Sequence, residues 1–216
     1  ASSRSVAFFE KQFRQQVAGR DFALNPFESA VLPHLRGSVL DFGCGLGNLA
    51  IQAARSGHPT LALDGSITAV EHVERIASDE RLPLRAARAD LRCYREEHGF
   101  DSVVSIGLLM FFDCPTAHRQ VDYLKSIVRP GGIAAINVLT EHTTFMDMFS
   151  PEGHCLFRTG ELARLFEGWE ILLNEDSAFA APRGTTKAFS TVVARHPGQF
   201  EAQEPHEICF ASSQVE

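Results

Sequence analysis

The chain of 216 residues has a formal net charge of −7, with 44% hydrophobic and 22% charged residues. That length and apolar share suit one domain with a core of its own, and an acidic balance without any run of lysine and arginine excludes a surface built to neutralise phosphates. No apolar run approaches the roughly 20 residues needed to cross a bilayer, and no basic-then-apolar leader opens the chain, so a cytoplasmic protein without nucleic-acid or membrane partners is expected.

In chain order, "SVAFFEKQFRQQVAG" sets Val6, Phe9, Phe13 and Val17 at helical spacing, and "NPFESAVLPHL" reads as a short helix begun by Asn25 and Pro26. Residues 1–36 are therefore expected to form a helical cover ahead of the main domain, 37–196. Apolar strands follow at "SVLDF", "TLALD", "LRAARAD", "FDSVVSI" and "GGIAAINVL", with helical stretches after the first two and over "TAHRQVDYLKSIV". Such alternation predicts an α/β fold, and the nearly continuous apolar runs "VLDF" and "IAAINVL" predict parallel strands covered by helices on both faces. "WEILLNED" and "KAFSTVVARH" read as an antiparallel hairpin at the sheet edge, joined by a polar loop over 177–186. Residues 197–216 lack periodicity and read as a tail.

"SVLDFGCGLGNLAI" ends a strand at Asp41 and turns through Gly43, Gly45 and Gly47 into a helix. That arrangement aims backbone N–H groups and a helix N-terminus at the carboxyl edge of the sheet, where doubly wound folds bind ligands. The glycines do not follow G-x-G-x-x-G, which argues against a nicotinamide dinucleotide. Asp64 ends the next strand 23 residues after Asp41, near the spacing of about 20 at which such folds grip ribose hydroxyls, and Asp90 ends the strand after that. Three strand-end carboxylates suit a cationic nucleoside better than a pyrophosphate. The plainer roles for Asp64 and Asp90 are caps of the next turn, and Asp113 in "FFDCPTAH" reads as a helix N-cap.

The five cysteines, Cys44, Cys93, Cys114, Cys155 and Cys209, are scattered without a C-x-x-C pair and are expected to be free, semi-buried thiols. His154 beside Cys155 lacks partners at ligand spacing, so no metal site is expected. Met110, Met146 and Met148 read as core or lid fillers, the latter two within a loop able to line a substrate mouth.

"VLDFGCGLGNLAI", "LALDGS", "RADLRCY" and "FDSVVSIGLLMFF" together resemble the first four motifs of class I S-adenosylmethionine-dependent methyltransferases. "SIGLLMFFD", "FRTGELARLFEGWEILLNED" and "FSTVVAR" are similar to the tellurite-resistance (TehB-like) family among them. The resemblance implies a Rossmann-like, seven-stranded, mostly parallel sheet with an antiparallel last strand, and residues 37–196 as the methyltransferase domain. It implies S-adenosylmethionine as cofactor, leaving as S-adenosylhomocysteine, held by Asp41, Gly43, Cys44, Gly45, Gly47, Asn48, Asp64, Gly65, Ser66, Asp90, Leu91, Ser105 and Ile106.

Methyl transfer from a sulfonium needs alignment rather than an enzyme nucleophile. The chain has no G-x-S-x-G elbow, no H-E-x-x-H site, and no [DN]-P-P-[YFW] sequence after the fourth strand, where it reads "SIGLLMFF". The acceptor is expected to be a small molecule. For an oxyanion such as tellurite or selenite, Arg158 and Arg183 are the candidate orienting cations; the plainer reading of each is a solvated surface arginine. The family offers a His-Arg pair after "NED", whereas this chain reads "SAFAAPRGTT". A thiol, another soft nucleophile, a natural product, or a non-catalytic donor-binding role thus stay open.

Overall fold

The computed structural model describes residues 4–19, 22–150 and 153–199. Cys209 and all but the first residues of the expected tail lie outside them. Seven strands, β1 (Val39–Phe42), β2 (Thr60–Asp64), β3 (Leu84–Arg88), β4 (Phe100–Ile106), β5 (Val128–Leu139), β6 (Glu170–Ala181) and β7 (Thr185–Arg195), form one sheet in the order β3-β2-β1-β4-β5-β7-β6. The pairs β1/β2, β1/β4, β2/β3 and β4/β5 are parallel, whereas β7 runs antiparallel to both β5 and β6. This is the Rossmann-like methyltransferase sheet with one reversed strand.

Among the described residues six α-helices accompany it: α1 (Arg4–Gly19), α2 (Pro26–Val31), α3 (Asn48–Arg55), α4 (Ile67–Glu80), α5 (Cys114–Ser126) and the single turn α6 (Glu161–Arg164). Strand alternation divides the core between two faces. Leu40, Val103 and Ile136 pack with Val121 and Leu124 of α5 and Leu162 of α6, while Val39, Val104 and Ala135 pack with Val31 of α2 and Leu49 and Ala53 of α3. Ala62 faces Ala50 of α3 and Val73 of α4. Burial on both faces is what the unbroken apolar runs require.

Two expectations are corrected. The segment "SAFAAPRGTT" is not a loop: β6 and β7 continue through it, pairing Phe179 with Lys187 and Ala181 with Thr185, and only Pro182–Gly184 turns. Phe179 and Phe189 explain the extension, since both rings pack with Phe27 of α2 and so carry the hairpin beyond the sheet body. Cys114 and Cys155 are not free thiols but a disulfide, joining the first turn of α5 to the stretch after β5. Cys44 is buried and free, and Cys93 is exposed and free.

Helix starts follow local chemistry. Asn25 and Glu28 form a capping box on α2, Ser66 caps α4, and the Asp113 carboxylate accepts from the Thr116 N–H (2.9 Å) and hydroxyl (2.9 Å) at α5. Asp113→Ala is expected to lower stability by about 1 kcal/mol, read as a lower urea midpoint at unchanged slope.

Candidate active site

The carboxyl ends of β1, β2, β3 and β4 open onto a cleft of about 820 Å3. Its floor is the turn after β1. Gly43 and Cys44 donate their N–H groups to the Leu63 carbonyl (2.8 and 2.9 Å), and Gly45 donates to Asp64 Oδ2 (2.9 Å), so β2 braces the loop from below. Gly47 starts α3 at φ +71°, and a Cβ there would lie 2.5 Å from the Val73 side chain, so glycine lets α3 close against α4.

Eleven of the thirteen residues expected to hold a donor line this cleft: Asp41, Gly43, Cys44, Gly45, Asn48, Asp64, Gly65, Ser66, Asp90, Leu91 and Ile106. Gly47 is not among its lining residues, because its role is the packing of α3. Ser105 is not on the wall either; it is fully buried, because strand alternation turns Ile106, not its neighbour, to the opening. Asn48 sits on the wall with its amide donating to the Ala23 carbonyl (3.1 Å), tying down the segment that enters α2.

Each carboxylate has a distinct environment. Asp41 is buried, accepts from the Ala50 N–H, and leaves Oδ2 without a partner among the described residues. Burial first, then the nearby charges of Glu28 and Asp64, push its carboxyl up to about 8. Asp64 accepts from Gly45 and, through Oδ1, from the Ser66 N–H (2.8 Å); burial outweighs these bonds and raises its pKa. Asp90 is gripped by Arg92 through two bonds of 2.8 and 2.6 Å, which hold its pKa down. The Cys44 thiol is pushed well up by burial and then by Asp41 and Asp64, so it stays protonated and unreactive.

Above this floor lies α1. Phe9, Gln12, Phe13 and Gln16 line the cleft, and a Cβ on Gly45 would meet the Phe13 ring at 3.3 Å. Glu10 clasps the hydroxyls of Ser66 and Thr68 in α4, and the Phe9 ring packs edge-on against Phe111 at 4.9 Å. Asn25 and Glu28 complete that side, and burial raises the pKa of Glu28. Phe111, Phe112, Asp113, Ser150 and Gly153 form the far wall. Sequence reasoning did not select these residues. Glu28 was passed over because only Asn25 and Pro26 marked the start of α2, and Phe9 and Phe13 carried only a helical-period signal.

Neither expected substrate arginine lines the cleft. Arg183 occupies the β6–β7 turn and pairs with Asp147. Arg158 precedes α6, where its N–H donates to Glu161 (2.6 Å). The extended hairpin carries the first away, and the bridge between Thr140 and Phe157 fixes the second beside the end of β5. Met146 and Met148 are also absent from the wall; Met148 is buried with Met110 and Phe149. The lining thus contains five carboxylates, Glu28, Asp41, Asp64, Asp90 and Asp113, against two guanidiniums, Arg88 and Arg92. Arg92 is taken by Asp90, and Arg88 donates to the Gly65 carbonyl (3.1 Å).

Residues 39–132 match the family described as "Methyltransferase domain". The match covers less than half of the chain. The domain sits in the class I fold: TehB from Haemophilus influenzae superposes with a TM-score of 0.71 at 18% identity, covering 89% of this chain and 67% of that one. The N-methyltransferase NodS from Bradyrhizobium japonicum, in complex with S-adenosyl-L-homocysteine, superposes with a TM-score of 0.66 at 16% identity, covering 88% and 98%. Among curated sequences, "Hemagglutinin 1" of Eikenella corrodens is 28% identical over 166 residues, 74% of this chain. The chain spans 55% of the length of that relative.

The residues present fit S-adenosylmethionine, the cofactor that the resemblance implies. The orphaned buried Oδ2 of Asp41 calls for a cation or donor, the Asp64 carboxylate stands at the strand end where ribose hydroxyls are gripped, and the excess of carboxylates suits a ligand carrying a sulfonium and an ammonium.

Proposed function

We propose that the chain is an S-adenosylmethionine-dependent methyltransferase whose acceptor is a small, apolar-bodied molecule that is neutral or cationic, not an oxyanion. The observation that carries this reading is the acidity of the cleft: five carboxyl groups, of which buried Asp41 keeps its proton while the cleft is empty, face two arginines, each already bonded to another group of the protein. An anion entering there would lose its hydration to meet like charge. A neutral or protonated acceptor meets aromatic surface instead, the group of Phe9, Phe13, Phe111 and Phe112, in which Phe9 and Phe111 touch.

When bound, the donor supplies a methyl group on a sulfonium that departs as a neutral thioether. The residues of the chain bind, orient and exclude water. Asp64 and the Gly45 N–H it braces set the nucleoside end, Asp41 balances positive charge beneath the loop, and the aromatic residues of α1 roof the opening.

The test is transfer of a labelled methyl group, at saturating donor, to a panel of amines, thiols, phenols, tellurite and selenite. Turnover is expected with members of the first three classes. Arg158→Ala and Arg183→Ala are expected to leave kcat/KM for them within about twofold, since neither guanidinium reaches the cleft. Preferred turnover of tellurite or selenite, with a raised KM in either arginine variant, would overturn the charge argument and return these residues to the role the sequence suggested.

A further inference from the structure

The far wall of the cleft is made by two stretches distant in sequence. Phe111, Phe112 and Asp113 come from the entry to α5, and Ser150 and Gly153 come from the segment after β5. They meet directly: a Cβ on Gly153 would lie 3.5 Å from Asp113 Cβ and 3.7 Å from its Cα. The disulfide closes this junction. Cys114 follows Asp113, and Cys155 stands two residues after Gly153, with its N–H donating to the Met110 carbonyl (2.9 Å). Rings add to the contact, Phe149 packing on Phe111 at 5.3 Å and on His154 at 4.7 Å.

The donor floor has separate supports. Its bonds run from the glycine turn to Leu63 and Asp64 and from Ser66 and Thr68 to Glu10, and neither half-cystine takes part. The segment after β5 is anchored near its ends, where Thr144 N–H donates to the Thr186 carbonyl (2.9 Å) and Phe157 N–H to the Leu139 carbonyl (3.0 Å). Between those anchors the covalent link to α5 acts with the Cys155 N–H bond to Met110 and the Phe149–Phe111 contact to hold Phe149, Ser150 and Gly153–Cys155 against residues 110–114.

We infer that the Cys114–Cys155 disulfide is a positioning device for the acceptor wall alone: oxidised, it holds the mouth at the width set by Gly153 over Asp113, and reduced, it loosens that wall while the donor floor stays intact. Assignment of the wall to the acceptor rests on the methyltransferase reading above; the mechanical separation of wall from floor does not. Opening by a phosphine is balanced: the S–S bond breaks, two thiols form with protons from water, and the phosphine takes the oxygen as phosphine oxide.

The experiment uses the full chain in three forms: oxidised, reduced with tris(carboxyethyl)phosphine, and the Cys114→Ala/Cys155→Ala double variant. Amide hydrogen exchange is followed by mass spectrometry, and S-adenosylhomocysteine binding by titration calorimetry. Reduction is expected to speed exchange in peptides covering 145–157 about tenfold or more, while peptides covering 39–55 keep their protection. The Kd for S-adenosylhomocysteine is expected to stay within about twofold. With an amine or thiol that turns over, reduction should raise KM about fivefold at saturating donor and change kcat by less than about twofold. Should the double variant misfold, the reduced wild type still decides. Unchanged exchange in 145–157 overturns the inference, as does lost protection in 39–55 or a Kd raised about tenfold or more, since the bridge would then hold the whole cleft. If no acceptor turns over but exchange divides as described, the functional reading fails and the division between wall and floor stands.

Discussion

Asp64→Ala is expected to weaken donor binding about 100-fold, close to 3 kcal/mol, with a small change in stability. Its carboxylate serves two purposes. Oδ2 accepts from the Gly45 N–H at 2.9 Å and Oδ1 from the Ser66 N–H at 2.8 Å, the Gly65 N–H also bonds to the carboxylate, and the group lines the cleft. Hydrogen bonds to a charged group contribute roughly 1.5–3 kcal/mol, so losing those to two ribose hydroxyls falls at the upper end of that range. Freeing the Gly45 N–H adds to the loss, because the glycine turn no longer has its brace. Stability changes little because burial already raises the pKa of this carboxyl in the folded chain, so its removal also relieves a desolvation cost. Asp64→Asn is expected to be nearly as damaging: one amide face must oppose a backbone N–H, donor against donor. Calorimetric titration with S-adenosylhomocysteine measures both variants, and wild-type affinity in Asp64→Ala would remove this residue from the site.

The parts of this molecule that were legible in the sequence are those whose cause is local. Unbroken apolar runs at β1 and β5, the acid at the end of β2 and the glycine turn each announce themselves within a few residues, because strand burial and tight turning constrain neighbours along the chain. Asp113 as the cap of α5 belongs to the same class. Ser105 was within reach of the period-2 rule, which alone separates it from Ile106. The disulfide was not legible, since 41 residues and no motif separate Cys114 from Cys155, and only the packing of the segment after β5 onto α5 brings their Cα atoms within 4.7 Å. Arg158 and Arg183 lie off the cleft wall for a related reason. Sequence position near the expected substrate cover gives no direction, and the aromatic contacts of Phe27 with Phe179 and Phe189 extend the hairpin away from the cleft. The acidity of the cleft arises by convergence as well: Glu28 comes from α2, Asp41 from β1 and Asp113 from before α5, and only the fold gathers them.

Donor binding is expected to release on the order of one proton per site near pH 7, and the affinity is expected to rise with pH up to about 8. The source is Asp41, whose carboxyl burial raises from the model-compound value of 3.8 to about 8, with Glu28 and Asp64 adding to the effect. In the empty cleft at pH 7 this group therefore holds its proton. A sulfonium and an ammonium placed near it favour the carboxylate, so the bound state carries the lower pKa and the proton leaves. Between the two pKa values the observed Kd should tighten by up to about tenfold per pH unit, equivalent to about 1.4 kcal/mol, and then level off above pH 8. The unliganded fold shows the opposite slope. Its raised pKa means that the native state binds more protons than the unfolded one between about 4 and 8, so this group's contribution to stability falls as pH rises through that window. Titrations of S-adenosylmethionine in buffers of different ionisation enthalpy read the proton count directly. Asp41→Asn keeps the size of the side chain, removes the titration, and should bind the donor more weakly with no pH dependence across 6 to 8, while its urea midpoint no longer declines over the same range. If wild type and Asp41→Asn show the same proton release and the same slope of affinity with pH, another group titrates on binding, and Glu28, whose carboxyl is also raised by burial, becomes the next substitution to make.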